Sequence, residues 1–272
     1  MHPMLNMAVR AAHRAGDLIL RYLDRVGDLD VQSKGHNDFV SEVDRAAEAT
    51  IIEVLRRAYP DHVFIGEEGG EQAGENEDYQ WLIDPLDGTT NFLHGHPQFA
   101  VSIALRVKGR LEQGVVYDPA RQETFTASRG AGAYLNDRRL RVSRRTGLKG
   151  ALIGTGFPVR QPAHLDLYLE TFRAIMLETA GVRRAGAAAL DLAWVAAGRM
   201  DGFWEFVLQP WDIAAGALLI EEAGGIVTDL DGGTAHMERG HVVAGNPKVI
   251  RELLKLLRGT ATRLDAIGKR GS

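Results

Sequence analysis

The chain has no cysteine among its 272 residues. That excludes disulfides, thiolate zinc centres and a cysteine nucleophile, and it is compatible with a reducing compartment without proving one. No uninterrupted apolar run reaches the roughly 18 residues that a membrane span needs. Residues 1–25 carry Arg10, His13, Arg14, Asp17 and Arg21 inside a helical pattern, so no secretory leader is expected and the expected compartment is the cytoplasm. A Gly-x-Ser-x-Gly nucleophile elbow, a Gly-x-x-x-x-Gly-Lys-[Ser/Thr] phosphate loop and a Gly-x-Gly-x-x-Gly fingerprint are also missing. A large excess of one charge is missing too. The net charge of -4 argues against a general nucleic-acid surface. It leaves room for a local basic patch such as Arg138-Arg139-Leu140-Arg141 with Arg144-Arg145, which reads first as a solvated face.

What is there suits one large globular domain or two small ones, with 45% apolar and 25% charged residues. Apolar residues at helical spacing from Met4 to Leu23 (Ala8, Ala11, Ala15, Leu18, Ile19, Tyr22) predict an amphipathic helix. Val40 to Tyr59 predicts a second, with Ser41 and Asp44 as a capping box and Pro60 just past its end. Strands are expected over 62–66, 79–83, 98–107, 111–117 and 122–127, with turns at Lys108-Gly109-Arg110 and Arg129-Gly130-Ala131-Gly132. From about residue 150, strands at 151–155, 181–184, 202–206, 225–229 and 241–244 alternate with helices at 164–178, 188–197, 212–223 and 247–257. That alternation is the pattern of α/β layers. Gln32 to Asp38 reads as a mobile polar loop, Asp229 to Gly233 as a turn, and the polar tail after Arg258 as frayed.

The segment Trp81-Leu82-Ile83-Asp84-Pro85-Leu86-Asp87-Gly88-Thr89-Thr90 carries the most chemistry. An apolar run ends in two carboxylates, and glycine and two hydroxyls follow. A strand end leading into a helix start suits an anion, yet two carboxylates repel one unless cations sit between. The arrangement suggests divalent metals bridging carboxylates and a substrate phosphate. Taken alone, Asp84 and Asp87 read equally well as turn and cap residues. Glu67 and Glu68 end another apolar segment, and Trp211-Asp212 opens a helical pattern that closes at Gly224-Gly225. Two unit charges about 4 Å apart repel by on the order of 4 kcal/mol at an effective dielectric near 20. A shared site of such acids therefore needs protons or cations, and oxygen-only ligands suit Mg²⁺. His94-Gly95-His96 admits a transition-metal reading but fits an ordinary polar loop better.

Glu67-Glu68, Asp84-Pro85-Leu86-Asp87-Gly88-Thr89-Thr90 and Trp211-Asp212 with Gly224-Gly225 resemble the signatures of the inositol monophosphatase family, over a span from about Met4 to Lys255. The resemblance implies a mixed α/β (α+β) fold, the five-layer αβαβα sandwich of the inositol monophosphatase and fructose-1,6-bisphosphatase superfamily. The site is expected between an N-terminal α+β half (1–145) and a C-terminal α/β half (146–272) of one compact unit. A Mg²⁺-dependent, lithium-sensitive phosphatase with two or three ions per site is implied. On this resemblance Glu67, Asp84 and the backbone carbonyl of Leu86 bind one metal, and Asp84, Asp87 and Asp212 a second. A third, weaker ion shares Glu67, and Glu68 is a neighbour rather than a ligand. Asp44 keeps its capping role and also pairs with the Thr89 hydroxyl to orient and deprotonate a water, since one carboxylate has two oxygens. Glu67, Asp44 and Thr89 thus form the implied catalytic set.

Substrate contacts are implied for Asp87, Gly88, Thr89 and Asp212, for the backbone at Gly186, Ala187 and Ala188, and for Glu205, seven residues before Asp212. Lys34 is implied to lie on a flap over the site. The run from Gly154 to Pro158 departs from the animal enzymes, so no hydroxyl contact is assigned to Thr155. The implied reaction is hydrolysis of myo-inositol-1-phosphate by activated water, without a phosphoenzyme. A sister activity on fructose-1,6-bisphosphate or a 3′-phosphonucleotide is disfavoured by the modest length and by Glu205. The alternative from another class is a regulatory protein of ribosomal RNA antitermination that binds RNA polymerase or elongation factors, a role implied for bacterial relatives. No recognisable peptide- or RNA-binding motif accompanies it. The resemblance also implies a homodimer, and no membrane partner is expected.

Overall fold

The structure, a computed structural model, describes residues 2–23, 25–26, 31–35 and 38–268, with the backbone alone at 33–35, 38–40 and 268. The chain opens with α1 (Pro3–Leu23), β1 (Val31–Gly35), β2 (Asp38–Ser41) and α2 (Glu42–Ala58). It continues through β3 (His62–Gly66), β4 (Gly70–Gln72), β5 (Asn76–Asp87), the short α3 (Thr89–Leu93), β6 (Ala100–Val107), β7 (Arg110–Asp118), β8 (Glu123–Ser128), β9 (Gly132–Leu135) and β10 (Arg138–Arg139). Next come β11 (Leu152–Thr155), α4 (Leu165–Glu178), β12 (Gly181–Arg183), α5 (Ala188–Ala196), β13 (Gly202–Glu205) and α6 (Pro210–Glu222). The chain ends with β14 (Ile226–Thr228), α7 (His236–Arg239), β15 (Val242–Gly245), α8 (Pro247–Leu256) and α9 (Thr260–Gly268).

Among the described residues the strands form an eight-stranded sheet in the order β10-β9-β8-β7-β6-β5-β3-β4, a five-stranded sheet in the order β12-β11-β13-β15-β14, and the ribbon β1-β2. Side chains alternate faces along a strand, and that alternation builds the layers. On β5, Trp81 and Ile83 pack with Ala8, Ala11 and Ala15 of α1 and with Ala47, Ile51 and Leu55 of α2. Leu82, between them, faces α5 and α6 instead. On the second sheet Phe203, Val242 and Ala244 meet α5 and α6 from the other side. Trp204 and Val243 turn outward to Tyr168 of α4, Leu253 of α8 and Leu264 of α9. The result is the five-layer αβαβα sandwich. Its central strands are buried on both faces, which is why they read as nearly continuous apolar runs. Among the described residues no helix is long and apolar enough to cross a membrane.

Three expectations change. The strand expected over 79–83 continues to Asp87, so Asp84 lies within β5 rather than beyond its end. The tail is not frayed at its start: α9 buries Ala261 and Leu264 against the outer core. Leu257, Ala261 and Leu264 stand at helical spacing, and the charges between them hide that stripe. The segment read as a loop from Gln32 to Asp38 supplies two arms of an antiparallel ribbon, pairing Val31 with Ser41 and Gly35 with Asp38. His36 and Asn37 lie outside the described residues.

Candidate active site

An open cleft of about 350 Å³ lies where β5 and α3 meet the starts of α5 and α6. Glu67, Asp84, Leu86, Asp87, Gly88, Thr89, Gly186, Ala188, Glu205 and Asp212 all line it. A larger surface hollow, about 670 Å³ beside α2, is lined by Arg45, Glu53, Arg56 and Arg57 and contains none of the cleft acids.

Asp84 and Asp87 are three residues apart, so a regular strand would aim them at opposite faces. A bulge prevents this. Asp84 pairs with Ser102 of β6 and Asp87 with Ala100, so three steps on one strand match two on the other. The extra residue returns Asp87 to the face that Asp84 uses. Pro85 has no N–H to lose there, and Asp84 Oδ1 accepts the Leu86 N–H at 3.0 Å across the distortion. Gly88 then turns the chain into α3 with φ 91°, and a Cβ at this position would stand 2.8 Å from the Gln98 carbonyl oxygen. Only glycine suits both conditions.

Three of the acids sit at helix starts. Asp44 is the third residue of α2: its Oδ2 accepts from the Ser41 N–H at 2.8 Å and the Ser41 hydroxyl at 2.6 Å. Its Oδ1 stays available and accepts from the Thr89 hydroxyl at 3.0 Å. The capping contacts and the Thr89 contact thus use different oxygens of Asp44. Asp212 closes a matching box at α6, where its Oδ2 accepts the Gln209 N–H at 2.8 Å. Asp87 closes a helix that is not its own. The cap of α5 is Ala187, which has no polar side chain, and Asp87 Oδ2 accepts the Ala189 N–H at 2.7 Å. Helix N-termini favour negative charge, so each acid is placed where backbone amides partly offset its burial.

The offset is incomplete. Burial first, then the charges of Glu67, Asp87 and Asp212, push Asp84 well above the usual carboxylate range. Asp87 is pushed up to about 7, chiefly by burial and against the pull of the Ala189 amide. Asp212 also reaches about 7, through burial and then the charge of Asp87. Burial raises Asp44 as well, against the hydrogen bonds from Ser41 and Thr89. Among the described residues, no three acid or histidine side chains already stand in the grouping that encloses a metal ion. Three of these acids are also held by backbone amides, Asp84 by Leu86, Asp87 by Ala189 and Asp212 by Gln209. The chemistry of the donors nevertheless fits a hard divalent cation: oxygen only, several carboxylates, and a charge excess that a cation relieves. The Leu86 carbonyl lies 3.0 Å from the Thr89 hydroxyl, as Asp44 does. One hydroxyl has one proton. When it goes to Asp44, the Leu86 oxygen keeps its lone pairs for another partner.

On the opposite wall Glu205 packs against Gly156, where a Cβ would stand 1.8 Å from its Oε1. Burial, then Asp212 and Asp87, push Glu205 up to about 8. Thr155 is buried, with its hydroxyl 3.1 Å from that of Tyr168. Lys34 lies on β1, and its side chain is outside those described. His94 is exposed, with Nδ1 2.8 Å from the Thr90 carbonyl oxygen, as a polar loop residue. The Glu68 amide donates to Glu48.

Sequence reasoning missed three contributors. Glu48 accepts the Glu68 and Gly69 amides at 2.9 and 2.7 Å and so braces the turn that carries Glu67. Its available signal was its place one helical turn after Asp44. Asn91 donates to the Gln98 and Ala185 carbonyls at 2.7 and 2.9 Å, tying α3 to the Gly186 loop. Asp191 is a buried acid in the otherwise apolar start of α5, and that isolation was its signal.

The sequence profile of the inositol monophosphatase family matches residues 1–261. The Nus factor SuhB of Pseudomonas aeruginosa is 62% identical over 258 residues, covering 93% of this chain and 95% of that one. The crystal structure of the extragenic suppressor protein suhB from Bartonella henselae superposes with a TM-score of 0.93 at 48% identity, covering 95% of this chain and 99% of that one. The inositol monophosphatase of Anabaena superposes with a TM-score of 0.83 at 39% identity, covering 93% and 94%.

Proposed function

Because this chain belongs to the inositol monophosphatase family, we propose that it is a Mg²⁺-dependent phosphatase that hydrolyses inositol monophosphates, myo-inositol-1-phosphate among them. The observation that carries the reading is the meeting of Glu67, Asp84, Asp87 and Asp212 in one cleft beside the Thr89–Asp44 pair. Glu67, Asp84, Asp87, Asp212 and the Leu86 carbonyl would hold two or three Mg²⁺ ions. Bound there, Mg²⁺ neutralises phosphate charge, makes water more acidic and stabilises the leaving oxygen. Thr89, donating to Asp44, presents its own lone pairs to the attacking water and receives its proton as the bond to phosphorus forms. Asp44 takes the threonine proton in turn, a transfer that its raised pKa favours. Gly88 leaves the start of α3 open to the phosphate, while the Gly186–Ala188 backbone and Glu205 face the ring. Glu205 can accept a hydrogen bond from a ring hydroxyl, and its protonated form, which burial favours, can also donate one. Lithium is expected to inhibit, and the functional unit is proposed to be a homodimer.

The test is phosphate release from myo-inositol-1-phosphate with Mg²⁺, with a chelator, and with Mg²⁺ restored. Turnover that survives thorough chelation removes the metal-dependent reading.

A second reading is favoured by the name of the 62%-identical Pseudomonas relative, a Nus factor. On this reading the chain also binds RNA polymerase or an elongation factor in the cytoplasm, through its outer surface. The acids recessed in the cleft are poorly placed for a broad protein interface. Pull-down with the Asp87→Asn protein separates the roles. Loss of the partner from a folded, dimeric variant would place both functions on one site.

A further inference from the structure

Asp191 stands in the first turn of α5, its amide donating to the Ala187 carbonyl oxygen at 3.0 Å. The residue is 1% exposed, yet it lines the cleft. Its Oδ1 is buried and has no hydrogen-bond partner among the described residues. Phosphate chemistry has no use for it: Asp87 accepts the amide of Ala189, two residues before Asp191, and already closes this helix start on the side of β5. Glu205 and then Asp87 are the charges that most oppose its ionisation, and Arg184 is the one that favours it. A buried carboxyl with an unused oxygen is costly unless something fills it. An anion there would meet Glu205 and Asp87. An uncharged hydroxyl, which both donates and accepts, can pair with that oxygen whether the carboxyl is ionised or not.

We propose that Asp191 is a specificity-determining residue whose carboxyl hydrogen-bonds a second hydroxyl of a polyol phosphate, beside the one that Glu205 takes. The proposal rests on the phosphatase reading and narrows it. Two acids on one wall select a ring that carries adjacent hydroxyls, because a ligand without them leaves the buried Asp191 oxygen unpaired and Glu205 without its hydroxyl partner. The Asp191 carboxyl acts on ring recognition and holds no metal.

The experiment compares kcat/KM for myo-inositol-1-phosphate with that for cyclohexyl phosphate, the same ring without hydroxyls. It uses the full chain with Mg²⁺, as wild type, Asp191→Asn and Asp191→Ala. The wild type should prefer the inositol ester, and Asp191→Ala should cut that preference about tenfold, the loss of one hydrogen bond to a buried group. Asp191→Asn, which keeps size and hydrogen bonding, should cut it less and serves if the alanine protein fails to fold. Its own preference for the ester must still shift measurably from wild type. Equal losses on both esters, or a raised Mg²⁺ requirement, would make Asp191 a structural or metal-linked residue and overturn the proposal. An unchanged preference in both variants would overturn it too, with the carboxyl satisfied by buried water. If the wild type hydrolyses both esters equally, polyol selection fails at Glu205 and Asp191 together. If it hydrolyses neither, the phosphatase reading itself falls.

Discussion

Asp44 and Asp87 both close the start of a helix, but Asp44 closes its own and Asp87 closes one 102 residues further along the chain. In the first case the cap and the acid are three residues apart, and local hydrogen bonding sets the geometry before any packing occurs. In the second, α5 begins at an alanine that cannot cap it, and the acid comes from the neighbouring sheet. The local cap leaves Asp44 Oδ1 free to work on Thr89. The borrowed cap makes Asp87 a weld between the layers as well as a candidate metal ligand. Glu205 and Asp191 form a second group, Asp191 in the first turn of the helix that Asp87 caps. No amide is among the main influences on their ionisation, and burial dominates. Amide-held acids suit a fixed reaction centre, and bare acids suit a wall that a substrate completes.

Asp87→Asn puts the greatest strain on this contrast. The asparagine oxygen still accepts the Ala189 N–H, so the protein should stay folded while kcat falls by roughly 10² or more, as when one electrostatic stabiliser is removed. Circular dichroism and steady-state kinetics decide it. A folded variant with unchanged kcat would leave Asp87 as a weld and nothing else.

Thr89→Ala should lower kcat by about 10², the low end for losing a proton-transfer group, with little change in the Mg²⁺ concentration for half-maximal activity. A collapse of metal dependence with chemistry intact would show that the hydroxyl serves the Leu86 carbonyl rather than a water.

Glu205→Ala should act on preference more than on chemistry. The ratio of kcat/KM between inositol-1-phosphate and a simple ester should fall about tenfold, in keeping with one lost hydrogen bond of ~1–3 kcal/mol. Equal losses on the two substrates would put Glu205 with the amide-held acids.

The smallest effect concerns pH. The Glu205 carboxyl ordinarily ionises near 4.5 and is pushed up to about 8 in the fold. Folding therefore favours its neutral form. The contribution is fully present below pH 4.5 and is lost as pH rises through about 8. Without Mg²⁺, Glu205→Gln should melt about 2–4 °C above wild type at pH 9, the shift that ~1 kcal/mol gives a chain of this size, and should match it at pH 4. Thermal scans at the two pH values test this, and an identical difference at both would rule out the ionisation of Glu205 as its source.

The layers were largely legible from the chain because burial on both faces leaves long apolar strands, and 3.6-residue stripes mark the helices that cover them. The Ser41–Asp44 box and the Gly88 turn were legible too, because each depends on hydrogen bonds or dihedrals within a few residues. α9 was not, because its stripe needs the outer core to show which residues are apolar partners. The bulge that brings Asp84 and Asp87 to one face depends on β6, and the cap that Asp87 lends α5 depends on how the two sheets stack. The empty hydrogen-bonding position on Asp191 exists only once α5 has been driven against the cleft. Short-range periodicity and capping could be decided by neighbours in sequence. The meeting of acids from the end of β3 and from β5, α2, α5, β13 and α6 in or beside one cleft was decided by packing, since only burial against shared layers brings residues so far apart in sequence to one place.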